Sequence, residues 1–238
     1  KYINKYQNCE VKNIFDNAQK WNEYVRCKQT KNGKPNIILL GDSHAEHLFL
    51  GLAESLANKN VSFYILDGKP YYNNPQFKNI FEELKNNNLK QTIFLTMNYA
   101  FRLEKNKDLL EGFNETIIEL KKMKKDVVII GDIPSYTIEP AFCVYKTYEG
   151  KVDSKCSISK EKADKQKNNY HKILTQLSKK HDVSYVEIDE PLCGNDDCSM
   201  IKNNKILYRD KHHLNILGSI LIGDYIREKL KTEKNFNY

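Results

Sequence analysis

The chain has 238 residues, 40% of them hydrophobic and 29% charged, with only ten glycines and six prolines. That size and mixture fit one large folded domain and exclude collagen-like, low-complexity and globally disordered classes. The formal net charge of +7 raises a nucleic-acid reading, but the lysines alternate with Asp, Glu and Asn, and no zinc-finger or aromatic-basic RNA pattern is present. Nucleic acid is therefore not an expected partner; a mild basic field suits acidic lipid headgroups or anionic glycans instead.

Residues 1–34 are polar, with Trp21, Tyr24 and Val25 as their few apolar anchors, and read as an N-terminal extension to a core spanning 35–238. Asn36-Ile37-Ile38-Leu39-Leu40 is a short apolar run ending in Gly41, as a buried parallel strand would be. Ala45, Leu48, Phe49, Leu52, Ala53 and Leu56 follow at helical spacing. Val61–Leu66 is a second predicted strand, Phe77–Leu84 a short helix and Thr92–Met97 a third strand. Leu109, Leu110, Phe113, Ile117 and Leu120 mark a long helix, whose end takes the cationic run Lys121-Lys122-Met123-Lys124-Lys125. Val127–Ile130 is a fourth strand. Residues 134–158 hold two prolines, two cysteines and no periodicity, and are expected to form a long excursion or lid. Tyr170, Ile173, Leu174 and Leu177 lie on another helix, Val183–Ile188 is a fifth strand, and Leu214, Leu217, Leu221, Tyr225 and Ile226 lie along a C-terminal helix. Such alternation predicts one α/β domain with a parallel sheet covered on both faces.

The six cysteines all lie in predicted loops or the extension. Six allow 15 pairings, and sequence-local closure is the simplest: Cys9–Cys27, Cys143–Cys156 and Cys193–Cys198. The spacing in Cys193-Gly194-Asn195-Asp196-Asp197-Cys198 is wrong for a zinc knuckle, so no metal is expected. Three disulfides imply an oxidising compartment, periplasm or cell exterior. No apolar run approaches the roughly 20 residues that span a bilayer, and no signal peptide opens the chain. It starts at Lys1 without Met and is expected to be a processed or excised piece of a longer protein.

Ligands of parallel α/β sheets bind outside the carboxyl ends of the strands. The turn after the first strand is Gly41-Asp42-Ser43-His44, which exposes the Ser43 hydroxyl beside backbone N–H groups and a positive helix end. Taken alone, Ser43 reads more readily as a helix cap than as a nucleophile. Near the other end stands Asp210-Lys211-His212-His213-Leu214, just before the last helix. An Asp three residues before a His can hold its Nδ1–H while Nε2 faces a serine. His213 has that spacing, and His212 is its adjacent competitor. His44, Glu46 and His47 read as solvated or structural, and His171 and His181 carry no signal.

These two blocks resemble the first and last motifs of the SGNH (GDSL-like) hydrolases. Gly-Asp-Ser-His-Ala before an apolar helix, and Asp-x-x-His-Leu before Gly218-Ser219, look most like SGNH domains fused behind acyltransferase-3 membrane domains. Those proteins O-acetylate bacterial surface polysaccharides, including lipopolysaccharide. The resemblance implies a three-layer αβα sandwich with a central, mostly parallel five-stranded sheet, SGNH- or flavodoxin-like. It implies Ser43, Asp210 and His213 as catalytic residues. The Ser43 N–H, Gly68 after the second strand and Asn98 after the third would form the oxyanion hole, with Tyr99 the competitor for the place of Asn98.

The function implied is acetyl transfer through a serine acyl-enzyme to a glycan hydroxyl. The domain would be periplasmic, tethered to the inner membrane through an acyltransferase-3 partner, and monomeric as an isolated piece. No tightly bound cofactor is expected; acetyl-CoA would be the ultimate donor through the membrane domain. A carbohydrate O-acetylesterase would use the same triad, with water resolving the acyl-enzyme. A non-catalytic glycan-binding module would leave Ser43, Asp210 and His213 apart.

Overall fold

The computed structural model describes residues 3–21, 24–105, 108–143 and 156–232. Seven strands form the main sheet: β1 (Gln7–Asn8), β2 (Cys27–Gln29), β3 (Ile37–Gly41), β4 (Val61–Ile65), β5 (Thr92–Leu95), β6 (Asp126–Ile130) and β7 (Ser184–Val186), in the order β1-β2-β4-β3-β5-β6-β7. The five strands from β3 onward pair in parallel, whereas β2 joins β4, and β1 joins β2, antiparallel. The expected five-stranded sheet is therefore corrected to seven. Both added strands come from the N-terminal extension, whose two- and three-residue polar segments are too short to show a strand period.

Among the described residues, six longer helices flank the sheet: α1 (Ser43–Ser55), α2 (Lys78–Asn86), α3 (Tyr99–Lys105), α4 (Leu109–Lys122), α5 (Lys160–His181) and α6 (Ile216–Lys231). Side chains alternate across each strand. Ile37 and Leu39 of β3 join Leu48, Phe49 and Leu52 of α1 and Ile222 and Ile226 of α6 on one face. Ile38 and Leu40 join Ile80, Phe81 and Leu84 of α2, Phe113 and Ile117 of α4 and Leu174 and Leu177 of α5 on the other. This is a three-layer αβα sandwich.

The last helix differs from its expected face. Leu214 lies before α6, and Leu217 is 45% exposed; the buried face is Gly218, Ser219, Ile222, Gly223, Ile226 and Leu230. Small residues are needed there because α6 crosses α1 at backbone contact. The Ser219 hydroxyl accepts from the Gly51 N–H at 2.8 Å, and a β-carbon on Gly51 would lie 1.7 Å from the Ser219 carbonyl oxygen. A leucine stripe would hold the helices farther apart.

Cys9–Cys27, Cys143–Cys156 and Cys193–Cys198 are disulfide-bonded, and no cysteine is free. The first staples β1 to β2 at the sheet edge. The extension is also tied to α1: the half-buried Tyr24 hydroxyl donates to Glu46 at 2.9 Å, and the buried Arg26 pairs with the same carboxylate. Of the expected excursion, residues 144–155 lie outside the described residues. Its first part packs against the C-terminal loop: the Tyr136 N–H donates to the Lys211 carbonyl at 2.8 Å, and the Tyr208 hydroxyl donates to the Pro134 carbonyl at 3.0 Å.

Candidate active site

All three strands β3, β4 and β5 run parallel, but the order in which strands are added switches sides at β3, with β4 on one side and β5 on the other, so the crevice at the ends of β3 and β5 is the place where such sheets take ligands. Gly41 closes β3 there. Its role is close approach: a β-carbon would sit 1.9 Å from the Thr96 carbonyl oxygen just after β5. Asp42 caps α1, its carboxylate accepting from the His44 N–H at 3.0 Å. The same carboxylate accepts from the Asn98 N–H at 3.1 Å and from Arg102 Nε at 3.0 Å, while Arg102 Nη2 donates to Asp67 at 2.7 Å. One buried aspartate thus joins the loops after β3 and β5, and Arg102 extends the link to the loop after β4.

Ser43 occupies the first turn of α1, half-buried, with a backbone N–H that has no intrahelical acceptor. Its hydroxyl lies 2.8 Å from His213 Nε2. His213 Nδ1 in turn lies 2.8 Å from Asp210 Oδ2. The proton on Nδ1 faces the carboxylate, leaving the Nε2 lone pair to accept from Ser43. Asp210 further accepts the backbone N–H groups of His212 and His213, at 3.0 and 2.9 Å, which coils the loop beneath the ring. Asn215 caps α6 through the Gly218 N–H and donates to the Ile206 carbonyl at 2.7 Å, pinning the loop's far end. The three residues are brought into one line, an arrangement opposite to that of a binding-only module.

Burial, with the neighbouring His44, Arg209 and His212, pushes His213 down to about 4 against the pull of Asp210. Burial works against ionisation of Asp210, but the His212 N–H and the His213 ring hold it below the ordinary carboxylate value. Near neutrality the line is carboxylate, neutral imidazole, hydroxyl. That is the resting state for general-base activation of a serine.

The expected oxyanion donors fare unequally. The Gly68 N–H already donates to the Leu66 carbonyl at 2.9 Å, so it would have to give up that bond to meet an oxyanion. Asn98 caps α3, its Oδ1 accepting from the Phe101 N–H at 3.1 Å, while its Nδ2 makes no hydrogen bond among the described residues. Tyr99 is not a competitor: it is fully buried, stacked on Tyr170, with its hydroxyl on the Ile130 carbonyl at 2.9 Å.

Three histidines read from the sequence as bystanders or rivals surround the line. His44, expected as solvated or structural, is buried, with Nδ1 2.6 Å from Asp132 and Nε2 3.2 Å from His212 Nδ1. Glu46 is not free but holds Arg26. His47 is buried beside His44 and His213, and burial followed by the His44 charge keeps it well below the ordinary imidazole value. Ring nitrogens of His44, His212 and His213 come within 4.8 Å of one another. The His44–His212 hydrogen bond and the His213–Ser43 contact bring them together. Asp132 was missed by sequence reasoning; its signal was its place directly after Gly131 at the carboxyl end of β6.

The sheet order, the flanking layers and the Ser-His-Asp line define the SGNH hydrolase-like class. The chain belongs to the family of SGNH domains fused to AT3 domains, whose model matches residues 8–228. Among solved structures it is similar to the periplasmic domain of the Salmonella ser. Paratyphi A lipopolysaccharide acetyltransferase, with 20% identity, 85% of each chain covered and a TM-score of 0.66. It also resembles a protein from Slackia heliotrinireducens assigned to the SGNH hydrolases, at 14% identity over 81% of this chain and 96% of that one, with a TM-score of 0.53. The inhibitor-bound aryl esterase of M. smegmatis follows at 11% identity, 82% and 98% coverage and a TM-score of 0.51. No curated protein matches the sequence at a significant level.

Proposed function

We propose that this domain is a serine O-acetyltransferase that moves acetyl onto a hydroxyl of a bacterial surface glycan, of the lipopolysaccharide or O-antigen kind, on the periplasmic side of the inner membrane. The observation that carries this reading is the 2.8 Å contact between Ser43 and His213, with Asp210 behind the ring. Family membership supports an AT3 membrane partner, and three disulfides support an oxidising compartment.

Ser43 attacks the acetyl carbonyl of the donor as His213 accepts the hydroxyl proton. Asp210 supports the imidazolium, and the Ser43 N–H with Asn98 Nδ2 meets the developing oxyanion. The proton leaves with the donor's leaving group. A sugar hydroxyl then attacks the acetyl-serine, surrendering its proton to His213, and the acetylated glycan departs with Ser43 restored. Acetyl-CoA is the ultimate donor through the membrane partner. The soluble domain works as a monomer and holds no cofactor of its own.

The test is a competition between water and sugar. With a nitrophenyl acetate donor, the domain should release acetate slowly, and added oligosaccharide should gain the mass of one acetyl. Rapid deacetylation of an acetylated glycan, with no transfer under any donor, would make it an esterase. Glycan binding with no acetyl-serine and no turnover would make it a binding module.

A further inference from the structure

Beside the triad lies a second carboxylate–imidazole pair that the proposed chemistry does not use. Asp132, 6% exposed, follows β6; its Oδ1 accepts from the Ile133 N–H at 2.9 Å and stands 2.6 Å from His44 Nδ1. His44, 1% exposed, lies on α1 directly after Ser43. Its other nitrogen reaches His212 Nδ1 at 3.2 Å, with the two rings stacked 11° from parallel. His212 is bonded in sequence to the base His213, and their ring centroids are 4.1 Å apart. The loop bearing Asp210 and His213 is thus held from two sides, by Ser43 through His213 and by Asp132 through His44 and His212.

We infer that Asp132 and His44 are a positioning pair for the catalytic base: a buried ion pair that anchors the His212–His213 loop to α1 and keeps a positive charge beside His213. This inference rests on the serine mechanism above, in which His213 is the base.

The proton arrangement follows from the hydrogen bonds. A cationic His44 donates from both nitrogens, to Asp132 and to His212 Nδ1, and His212 must then be neutral to accept. The environments agree. Burial alone would push His44 down, but the charge and hydrogen bond of Asp132, helped by Asp42 and Asp210, hold it above the ordinary imidazole value. Burial and the His44 charge hold His212 below it. The titratable and charged groups around the base are Asp210, Arg209 and His212 on its own loop, His44 and His47 on α1, and Asp132 after β6. Of these, His44 is the nearest buried cation on another element, its ring centroid 5.0 Å from that of His213. A cation there disfavours protonation of His213 and keeps the base available in mild acid.

Asp132→Asn keeps the shape and an acceptor oxygen but removes the charge that holds the proton on His44. The acid limb of kcat/KM for nitrophenyl acetate should then move to higher pH by roughly one unit, the order expected of losing a charge about 5 Å away in partly screened surroundings. His44→Gln should shift it in the same direction. In both, kcat should fall roughly tenfold or more with KM little changed, as a loosened base predicts. The His213 ring titration, followed by NMR without reliance on turnover, should move with the limb. Folded variants whose His213 titration is unmoved would overturn the inference, whatever happens to their rate or melting temperature. Should Asp132→Asn not fold, the wild-type His44 ring decides: titration above the ordinary value supports the pair, and a ring neutral throughout the accessible range overturns it. An inactive wild-type protein with the His213 shift intact would instead sink the serine mechanism and leave the electrostatic pair standing.

Discussion

Gly51 and Gly223 meet backbone to backbone where α1 crosses α6: a β-carbon on Gly223 would lie 2.3 Å from the Gly51 carbonyl carbon. Neither backbone can yield cheaply. Gly51→Ala or Gly223→Ala should each cost about 2–3 kcal/mol, the upper range for overpacking a dense interior. Because α1 starts at Ser43 and α6 starts just beyond His213, activity should fall more steeply than stability. Urea unfolding and ester turnover on the same samples give both numbers; alanine variants as stable and active as wild type would refute the close crossing.

Ser43→Ala should abolish nitrophenyl acetate turnover, and His213→Ala should lower kcat by roughly 10³-fold or more, as expected for members of a nucleophile–base unit. Asp210→Asn should act in the same direction. His212→Ala should cost far less, because the His212 ring hydrogen-bonds neither Ser43 nor Asp210, and alanine keeps the backbone N–H that Asp210 accepts. Intact-protein mass spectrometry should trap an acetyl adduct in wild type and none in Ser43→Ala. An adduct elsewhere would reassign the nucleophile.

The base must be neutral to accept the serine proton, and His213 is held down at about 4. The acid limb of kcat/KM should therefore have its midpoint near pH 4, well below the roughly 6.5 of an unperturbed imidazole. Turnover should persist at pH 5 and fade only below it. A midpoint at the ordinary imidazole value would show that burial and the surrounding cations do not control the base.

Arg26 and Glu46 have side chains only 9% and 13% exposed, so the loss of either strands a nearly buried charge. Arg26→Ala should destabilise by about 3 kcal/mol. The exposed Lys165–Glu161 pair on α5, 72% and 77% exposed, should contribute under about 1 kcal/mol. Restoring neutrality with Arg26→Met and Glu46→Leu together should recover much of the loss. Additive losses in the double variant would argue against a coupled pair.

The disulfides close loops of different length, 18 residues for Cys9–Cys27 and 5 for Cys193–Cys198. Loop-closure entropy predicts losses of about 3 and 2 kcal/mol when each is replaced by a serine pair. Non-reduced peptide mapping checks the three links, and chemical denaturation checks the order. A larger loss at the short loop would show that its bridge acts on the native packing beside the catalytic loop.

The five parallel strands were legible because their segments are rich in β-branched and large apolar residues and close at a polar or glycine break, although β7 takes only Ser184–Val186 of the expected Val183–Ile188. The antiparallel strands in the extension were not, since Gln7–Asn8 and Cys27–Gln29 take their places from pairing and a disulfide rather than from pattern. α3 was too short for a period, and on α6 the eye follows leucines whereas the packing follows glycines. Ser43, Asp210 and His213 stood out because each motif is compact in the chain. Asp132 did not, because its partner is 88 residues away and nothing local marks a buried aspartate. Gly68 fits its place after β4, yet backbone bonding occupies its N–H, which no residue type reveals.

Ser43 and His213 are 170 residues apart in the chain, one opening α1 and the other preceding α6. A piece of the chain that lacks either α1 or the loop before α6 holds only half of the pair. Contacts of that range require large loops to close and form slowly. Under the proposed mechanism, a chain whose C-terminal segment is not yet in place would hold the serine without its base and would not consume acetyl esters. By the same mechanism, ester turnover would begin only once α6 has docked on α1, so the appearance of activity during refolding would report that docking.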